Sequence, residues 1–313
     1  MSKYAQQPLD LSGLRTIPIQ DRGGKVRVAD FAHVYKGSGT GALLDSLPHI
    51  LAADSLRAVV DALAVARANK KMILWGLGGH VIKCGLAPVL IDLMHRGFAT
   101  AFMLNGAASI HDFEIAIAGQ TSEDVEAVLP DGRFGTAEET GREMNTALES
   151  ECGFGEAIGR RLEKIADPKF AGVSLQWAAY QAGVPVTVHV AIGTDTPHTH
   201  PAAQGEAIGR ASHHDFRLLC SLVKELDGGG VYLNVGSAVL LPEVFLKAVS
   251  SVRNLGNSLA NFTTANFDFL QHYRPRVNVV ERPHARAGGK GYSITGHHEI
   301  MIPLLAAALV EHS

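Results

Sequence analysis

Apolar positions along the chain alternate between helical and extended spacing, and this alternation predicts the fold class. Residues 43–69 place Leu44, Leu47, Ile50 and Leu51, then Leu56, Val59, Val60 and Leu63, on one helical face. Asp54-Ser55 offers a break and an N-cap inside that stretch. The run Met72-Ile73-Leu74-Trp75 ends in glycine and predicts a buried strand. Residues 82–96 predict a helix closing on His95-Arg96, with Gly97 at its C-cap. Residues 100–104 predict a second buried strand, and residues 110–118 open another helix. The pattern resumes with a helix over 174–181, ended by Gly183-Val184-Pro185, and a strand over 186–192. Further strands are expected over 231–235, 261–269, 277–280 and 292–295, and further helices over 241–252 and 299–311. Strands and helices in alternation with short connections are the sequence form of a parallel sheet covered on both faces.

Residues 1–40 read as an irregular, partly extended N-terminal extension, with turn chemistry at Gly23-Gly24 and from Gly37 to Gly41. No repeat, low-complexity tract or linker interrupts the rest, and 119–160, rich in Gly and Glu, is the one candidate insertion. Residues 41–313 therefore read as a single α/β domain.

Composition removes several function classes. The chain has 313 residues, with 28 Lys plus Arg against 31 Asp plus Glu, a formal charge of −3. Without a basic block, neither a nucleic-acid partner nor a polybasic membrane anchor is expected. Cys84, Cys152 and Cys220 lie too far apart for a CxxC site or a disulfide framework, which fits a reducing, cytoplasmic setting. The start MSKYAQQPLD lacks the apolar core of a secretory signal, and the apolar run 300–310 contains Pro303 and is too short to span a bilayer. Histidine is the unusual count: of 15 in all, nine fall between His189 and His298.

Four segments could carry chemistry. Gly76-Leu77-Gly78-Gly79-His80 follows a strand and precedes a helix, where backbone can approach a phosphate. Its spacing is not GxGxxG, and tight-turn glycines would look the same. Asn105 to Asp112 forms a polar strand-to-helix corner suited to a ligand cleft; equally, Ser109 could cap the helix and Asp112 favour its dipole. Asp195, His198 and His200 lie within six residues on a loop after a strand. His-x-His on extended chain suits zinc, imidazoles also serve as acid and base, and a turn with backbone-bonded histidines is the structural alternative. Lys290, among Gly288, Gly289 and Gly291, could bind phosphate, form an imine or be simply solvated. His297, His298 and Glu299 could complete a site begun by Asp195, His198 and His200. His213-His214-Asp215 reads as a surface helix start, Glu138-Glu139 and residues 149–151 as solvated, and Asn105, Asn234 and Asn261 as weak candidates.

Taken in order, these motifs resemble the deoxyhypusine synthase family over about residues 25–311. Ile73 to Gly79 with Gly85-Leu86 and Arg96-Gly97 is similar to its first nucleotide-fold unit. Leu104-Asn105-Gly106-Ala107 through His111-Asp112 resembles its Thr-Thr-Gly-Ala-Asn segment ending in His-Asp. Gly183-Val184-Pro185 leading to Thr194-Asp195, and Gly289-Lys290 followed by Ile302-Pro303, resemble its acidic loop and its Gly-Lys loop with the final helix. The resemblance implies a Rossmann-like α/β fold, NAD as cofactor and a homotetramer with sites between paired subunits. It implies NAD contacts from Gly76, Gly78, Gly79, Asn105, Gly106, Ala107, His111 and Asp112, a loop acid at Asp195 and an imine-forming Lys290.

The loop after Asp195 departs from the family by carrying histidines, and Gly288 replaces a tryptophan. Histidine, arginine and glycine stand where a polyamine pocket needs carboxylates and an aromatic wall, so a small-molecule substrate other than spermidine is expected. The leading expectation is an NAD-dependent transferase acting through an oxidised, imine intermediate with Lys290, Asp195, His198, His200, His297 and His298 as catalytic residues. One alternative is a metal-dependent hydrolase or lyase, with Asp195, His198, His200 and His297 or His298 holding zinc or another divalent ion. The other is a nucleotide-binding protein without turnover.

Overall fold

The structure, a computed structural model of the chain, describes residue 3, residues 7–22 and residues 25–311. Gly23-Gly24 lies outside the described residues. Before the first helix the described residues are irregular apart from two short 3-10 turns, Ile19–Arg22 and Val28–Asp30. Helices α1 (Gly39–Ser46) and α2 (Leu51–Ala68) follow. The helical stretch breaks at Leu47-Pro48, because a residue before proline is pushed out of the helical region; Leu47 is extended, at φ −68° and ψ 154°. Ser55 lies inside α2 and donates to the Leu51 carbonyl at 3.1 Å.

Strand β1 (Ile73–Leu77) leads to α3 (Gly79–Lys83) and α4 (Ala87–His95), which share the span expected for one helix. Gly85, at φ +74°, reverses the chain between them. Strand β2 (Ala101–Asn105) runs into α5 (Gly106–Ala118). The candidate insertion forms α6 (Val125–Val128), α7 (Glu138–Ala147) and α8 (Phe154–Ile165). Phe154, Ala157, Ile158 and Leu162 of α8 join the main core.

Helix α9 (Leu175–Gln181) precedes β3 (Val186–His189), which stops short of Ile192 because its pairing with β2 ends at Asn105 and His189. Then come α10 (Gly205–Lys224), β4 (Val231–Val235), α11 (Leu240–Asn254) and β5 (Thr263–Asp268). Residues 277–280 are not a strand: α12 (Tyr273–Pro275) continues into a π-helical stretch, Arg276–Glu281. Its backbone lies against the sheet edge, where Thr264 donates its hydroxyl to the Val279 carbonyl at 2.6 Å. Strand β6 (Lys290–Thr295) and α13 (His298–Glu311) complete the chain.

The six strands form one parallel sheet in the order β3-β2-β1-β4-β5-β6. Side chains alternate across it as the pleat requires. Ile73, Trp75, Leu77, Phe102 and Leu104 pack with α2, α5, α8, α9 and α13, while Leu74, Met103 and Tyr232 pack with α10 and α11. This is an α/β Rossmann-like fold. The chain order reverses between β1 and β4, and ligands of such sheets bind at the carboxyl ends of the strands beside that reversal.

Candidate functional site at the carboxyl edge of the sheet

At the reversal two glycines meet. The Gly78 N–H donates to Val235 O at 2.9 Å, and the Gly236 N–H donates to Phe267 O at 3.1 Å. A Cβ on Gly78 would lie 2.0 Å from Gly236 O, so only glycine allows the two strand ends to touch. Gly236 itself adopts φ +67°, and a Cβ there would lie 2.9 Å from His298 Cε1. The His298 ring thus lies directly over the reversal. It is 1% exposed. Its Nε2 donates to Phe267 O at 3.2 Å and stands 3.8 Å from Asp268 Oδ1. Its Nδ1 is buried with no hydrogen-bond partner among the described residues. Burial pulls the His298 pKa below its ordinary value. The imidazole is therefore neutral near pH 7, with Nδ1 presenting a lone pair.

Other side chains gather around it. His80, in the first turn of α3, has its ring centroid 5.6 Å from that of His298. Phe269 meets both imidazoles edge-on and stacks on His297 at 5.9 Å. Cys84 Sγ lies 3.2 Å from His80 Nε2 and 3.8 Å from Glu299 Oε2. Burial, then the Glu299 charge, pushes the Cys84 thiol up. Sequence reasoning picked out His297 and His298 and missed Cys84 and Phe269. The signal for Cys84 is its separation of four residues from His80, one helical turn.

The ends of β2 and β3 form a second, separate cluster. Asn105, rather than Ser109, caps α5, its Oδ1 accepting the Ala108 N–H at 2.9 Å. Ser109 is buried and donates to Gln176 Oε1 at 2.8 Å. Gly106 has no side chain because the Asp195 carboxylate fills the space, 2.0 Å from where a Cβ would be. Burial raises the Asp195 pKa. His198 Nδ1 accepts the Gly193 N–H at 3.1 Å. His200 uses both nitrogens: Nδ1 accepts the Ala202 N–H, and Nε2 meets Glu138 Oε2, each at 3.1 Å. His189, at the end of β3, is buried, and its pKa is pushed down to about 3.

The four expected metal ligands do not converge. Asp195, His198 and His200 belong to this second cluster, whereas His297 stands beside Phe269 and Glu299. The group with metal-ligand geometry among the described residues is His80, Cys84 and Glu299 instead. Lys290 stands further away still. It is the first, exposed residue of β6, paired with Thr263 at the amino edge of the sheet. Five residue steps of strand, roughly 16 Å, separate it from the edge carrying His298.

Among the residues expected at NAD, Gly78, Asn105 and Gly106 do lie at carboxyl strand ends. Gly79, Ala107 and His111 meet one another where α3 crosses α5. His111 Nδ1 lies 2.8 Å from Thr121 Oγ1. Gly76 makes room within the sheet for Tyr232, whose Oη would lie 2.6 Å from a Cβ. Asp112 is fully buried and caps α9, accepting from Ser174 Oγ and the Leu175 and Gln176 N–H groups at 2.7–2.9 Å. Asn234 is likewise internal, bonded to Ser237 O and Asn266.

A cavity of about 770 Å³ lies elsewhere, lined by Glu114, Glu123, Glu139 and Glu143 with Ile117 and Ile165. Glu143 is already paired with Arg161 and Arg142, and Glu114 accepts from Thr121 and Thr140. No helix among the described residues is long and apolar enough to cross a membrane.

No protein-family model matches the chain, and no curated protein matches it. Solved structures do. A conserved protein assigned to the LOR/SDH class from Methanococcus maripaludis is 13% identical, with a TM-score of 0.54 over 84% of this chain and 70% of its own. AgrE, as a mutant in binary complex with L-arginine, is 16% identical with a TM-score of 0.52 over 82% of this chain. The chain spans only 32% of AgrE. A protein assigned as a deoxyhypusine synthase from Entamoeba histolytica is 10% identical, with a TM-score of 0.50 over 88% of this chain and 94% of its own. At these identities the likeness is one of fold, and it agrees with the Rossmann-like sheet described above.

Proposed function

We propose that the chain is an enzyme that binds NAD at the carboxyl edge between β1 and β4 and oxidises a small molecule there, with His298 accepting the proton. The observation that carries this reading is the unpartnered, buried Nδ1 of His298 over the Gly78–Gly236 contact. A buried polar atom without a partner costs stability unless something uses it. The strand ends fit a dinucleotide: α3 and α5 both start at this edge, directly after β1 and β2, and the N-terminus of α5 favours a phosphate there.

NAD, when bound, would supply the hydride acceptor. His298 would take, at Nδ1, the proton that a hydroxyl or amine releases on oxidation. The imidazolium so formed keeps its Nε2–H on Phe267 O, with the Asp268 carboxylate 3.8 Å away to offset the charge. Asp268 is itself held by the Phe269 N–H at 2.9 Å. Lys290 takes no part within one chain, because it stands on the opposite edge. The resemblance to deoxyhypusine synthases, with a homotetrameric assembly, enters this reading as support for NAD and not for the imine step.

The test has two arms. NAD at about a hundred times its Kd should raise the unfolding free energy by about 2.7 kcal/mol, read as a rise in Tm that grows with concentration. His298→Asn should keep that rise and lose about 100-fold or more in NADH formation from a panel of amines and amino alcohols. Lys290→Ala should leave both unchanged. No rise at millimolar NAD, with copurified cofactor excluded, removes the nucleotide reading. Binding without turnover of any panel member would favour the non-catalytic alternative.

A further inference from the structure

We propose that His80, Cys84 and Glu299 form a site for a zinc ion, with a fourth position open to water or substrate. Independently of the nucleotide reading, three ligating atoms from two distant parts of the chain come together here. His80 and Cys84 lie one turn apart on the same face of α3, which ends at Lys83 with Cys84 as its C-cap. Gly85, at φ +74°, then carries the chain away and leaves the half-buried sulfur at the turn. Glu299 reaches the same point from the first turn of α13, 215 residues later.

The distances suit a tetrahedral ion. Zinc with its sulfur at about 2.3 Å and its nitrogen or oxygen ligands at about 2.0–2.2 Å requires neighbouring ligand atoms roughly 3.3–3.6 Å apart. The observed separations are 3.2 Å between His80 Nε2 and Cys84 Sγ and 3.8 Å between Cys84 Sγ and Glu299 Oε2. All three atoms lie within 4.8 Å of one another. The widest pair, His80 and Glu299, closes when these two exposed side chains turn toward each other by roughly an ångström. The chemistry of the donors selects the metal: thiolate with imidazole suits zinc, whereas magnesium and calcium take oxygen ligands.

The exposure of His80 and Glu299 leaves one side of the shell open. Three protein ligands with an open fourth position is the pattern of zinc sites that take water or substrate, as opposed to closed structural sites. The ligands also have supporting contacts. His297 Nδ1 lies 3.8 Å from the other oxygen of Glu299, and Phe269 lies edge-on to His80. His298, whose ring is 5.6 Å from that of His80, would adjoin any group polarised by the ion.

The chain, purified without chelators and dialysed after micromolar zinc, should retain about one zinc per chain by elemental analysis. Cys84→Ser and His80→Ala should each lower retained zinc at least about tenfold. Cys220→Ser, on α10, should retain as much as the unaltered chain. Cobalt(II) added to the metal-free chain should give a thiolate-to-cobalt charge-transfer band that Cys84→Ser abolishes. Retention below about a tenth of an equivalent, or no such band in the unaltered chain, overturns the site even if a variant fails to fold. The rise in Tm with NAD is read separately, so loss of zinc binding and loss of NAD binding remain distinguishable.

Discussion

Replacing Gly78 with alanine is expected to lower the unfolding free energy by about 1–3 kcal/mol and to abolish the rise in Tm given by NAD. The added Cβ would lie 2.0 Å from Gly236 O, 2.6 Å from Gly236 C and 3.1 Å from Ser237 N. Ordinary contact requires about 3.4 Å or more, so the two strand ends must part by over an ångström. Neither can yield cheaply. The Gly78 N–H is bonded to Val235 O and the Gly236 N–H to Phe267 O, so parting them breaks the continuation of the sheet ladder. Gly78 has φ −83°, which alanine adopts freely, so the effect is steric and not conformational. His298 rests on Gly236, and the displacement would reach the proposed proton acceptor. Gly172→Ala is the control: nothing lies within 4 Å of its added Cβ, and a change under about 0.5 kcal/mol is expected. Urea unfolding and NAD titration of both variants decide the matter. If Gly78→Ala matches the unaltered chain in both, the crevice between β1 and β4 is not the binding site.

Much of this architecture is legible in the sequence, for a physical reason. Strands buried on both faces are continuous apolar runs, so the runs over 72–75, 100–104 and 231–235 announce the strands observed at Ile73–Leu77, Ala101–Asn105 and Val231–Val235. The π-helical stretch Arg276–Glu281 defeats the same logic, because Val277, Val279 and Val280 satisfy a strand's composition while packing as a cover. Helix α10 hides for the opposite reason: its buried Ile208, Ala211, Leu219 and Leu222 are interleaved with His213 and His214.

The site divides along the same line. A residue placed just before a strand of a parallel sheet lies at the amino edge, and one placed just after it lies at the carboxyl edge. Lys290 and His298 are therefore separable from the sequence by strand direction alone, and the structure separates them. The fates of His198 and His200 are not legible, because the N–H groups of Gly193 and Ala202 that occupy their nitrogens depend on the path of one turn. Nor does any local pattern bring Glu299 to Cys84. That meeting depends on β1 and β6 both ending at one edge.

Raising the pH from about 4 to about 8 is expected to destabilise the unaltered chain, relative to Asp215→Asn, by on the order of 4 kcal/mol. Asp215 lies in mid-helix and is fully buried, not at a solvated helix start. Burial drives its pKa from an ordinary 3.8 up to about 7, against the pull of the Val188 and Gly155 N–H groups. Between those values the folded chain binds the proton and the unfolded chain does not. Stability from this group is therefore complete below about pH 4 and is lost as the pH rises through about 7. Geometry shows why the donors lose. Both N–H groups converge on Oδ2, at 2.7 Å from Val188 and 2.9 Å from Gly155. Oδ1 has no hydrogen-bond partner among the described residues, stands 3.9 Å from His214 Nδ1, and abuts Gly153, where a Cβ would lie 1.9 Å away. An unpartnered hydroxyl there is far less costly than an unpartnered anionic oxygen. Asparagine copies the neutral form, with its carbonyl at Oδ2 and its amide at Oδ1, and carries no proton to lose. Urea unfolding of both chains at a series of pH values measures the difference. A difference that stays flat would mean the carboxylate is ionised in the fold throughout and the two backbone donors outweigh burial. A difference that falls would tie the alkaline limit of the protein to β3 and α8, which Asp215 joins through Val188 and Gly155.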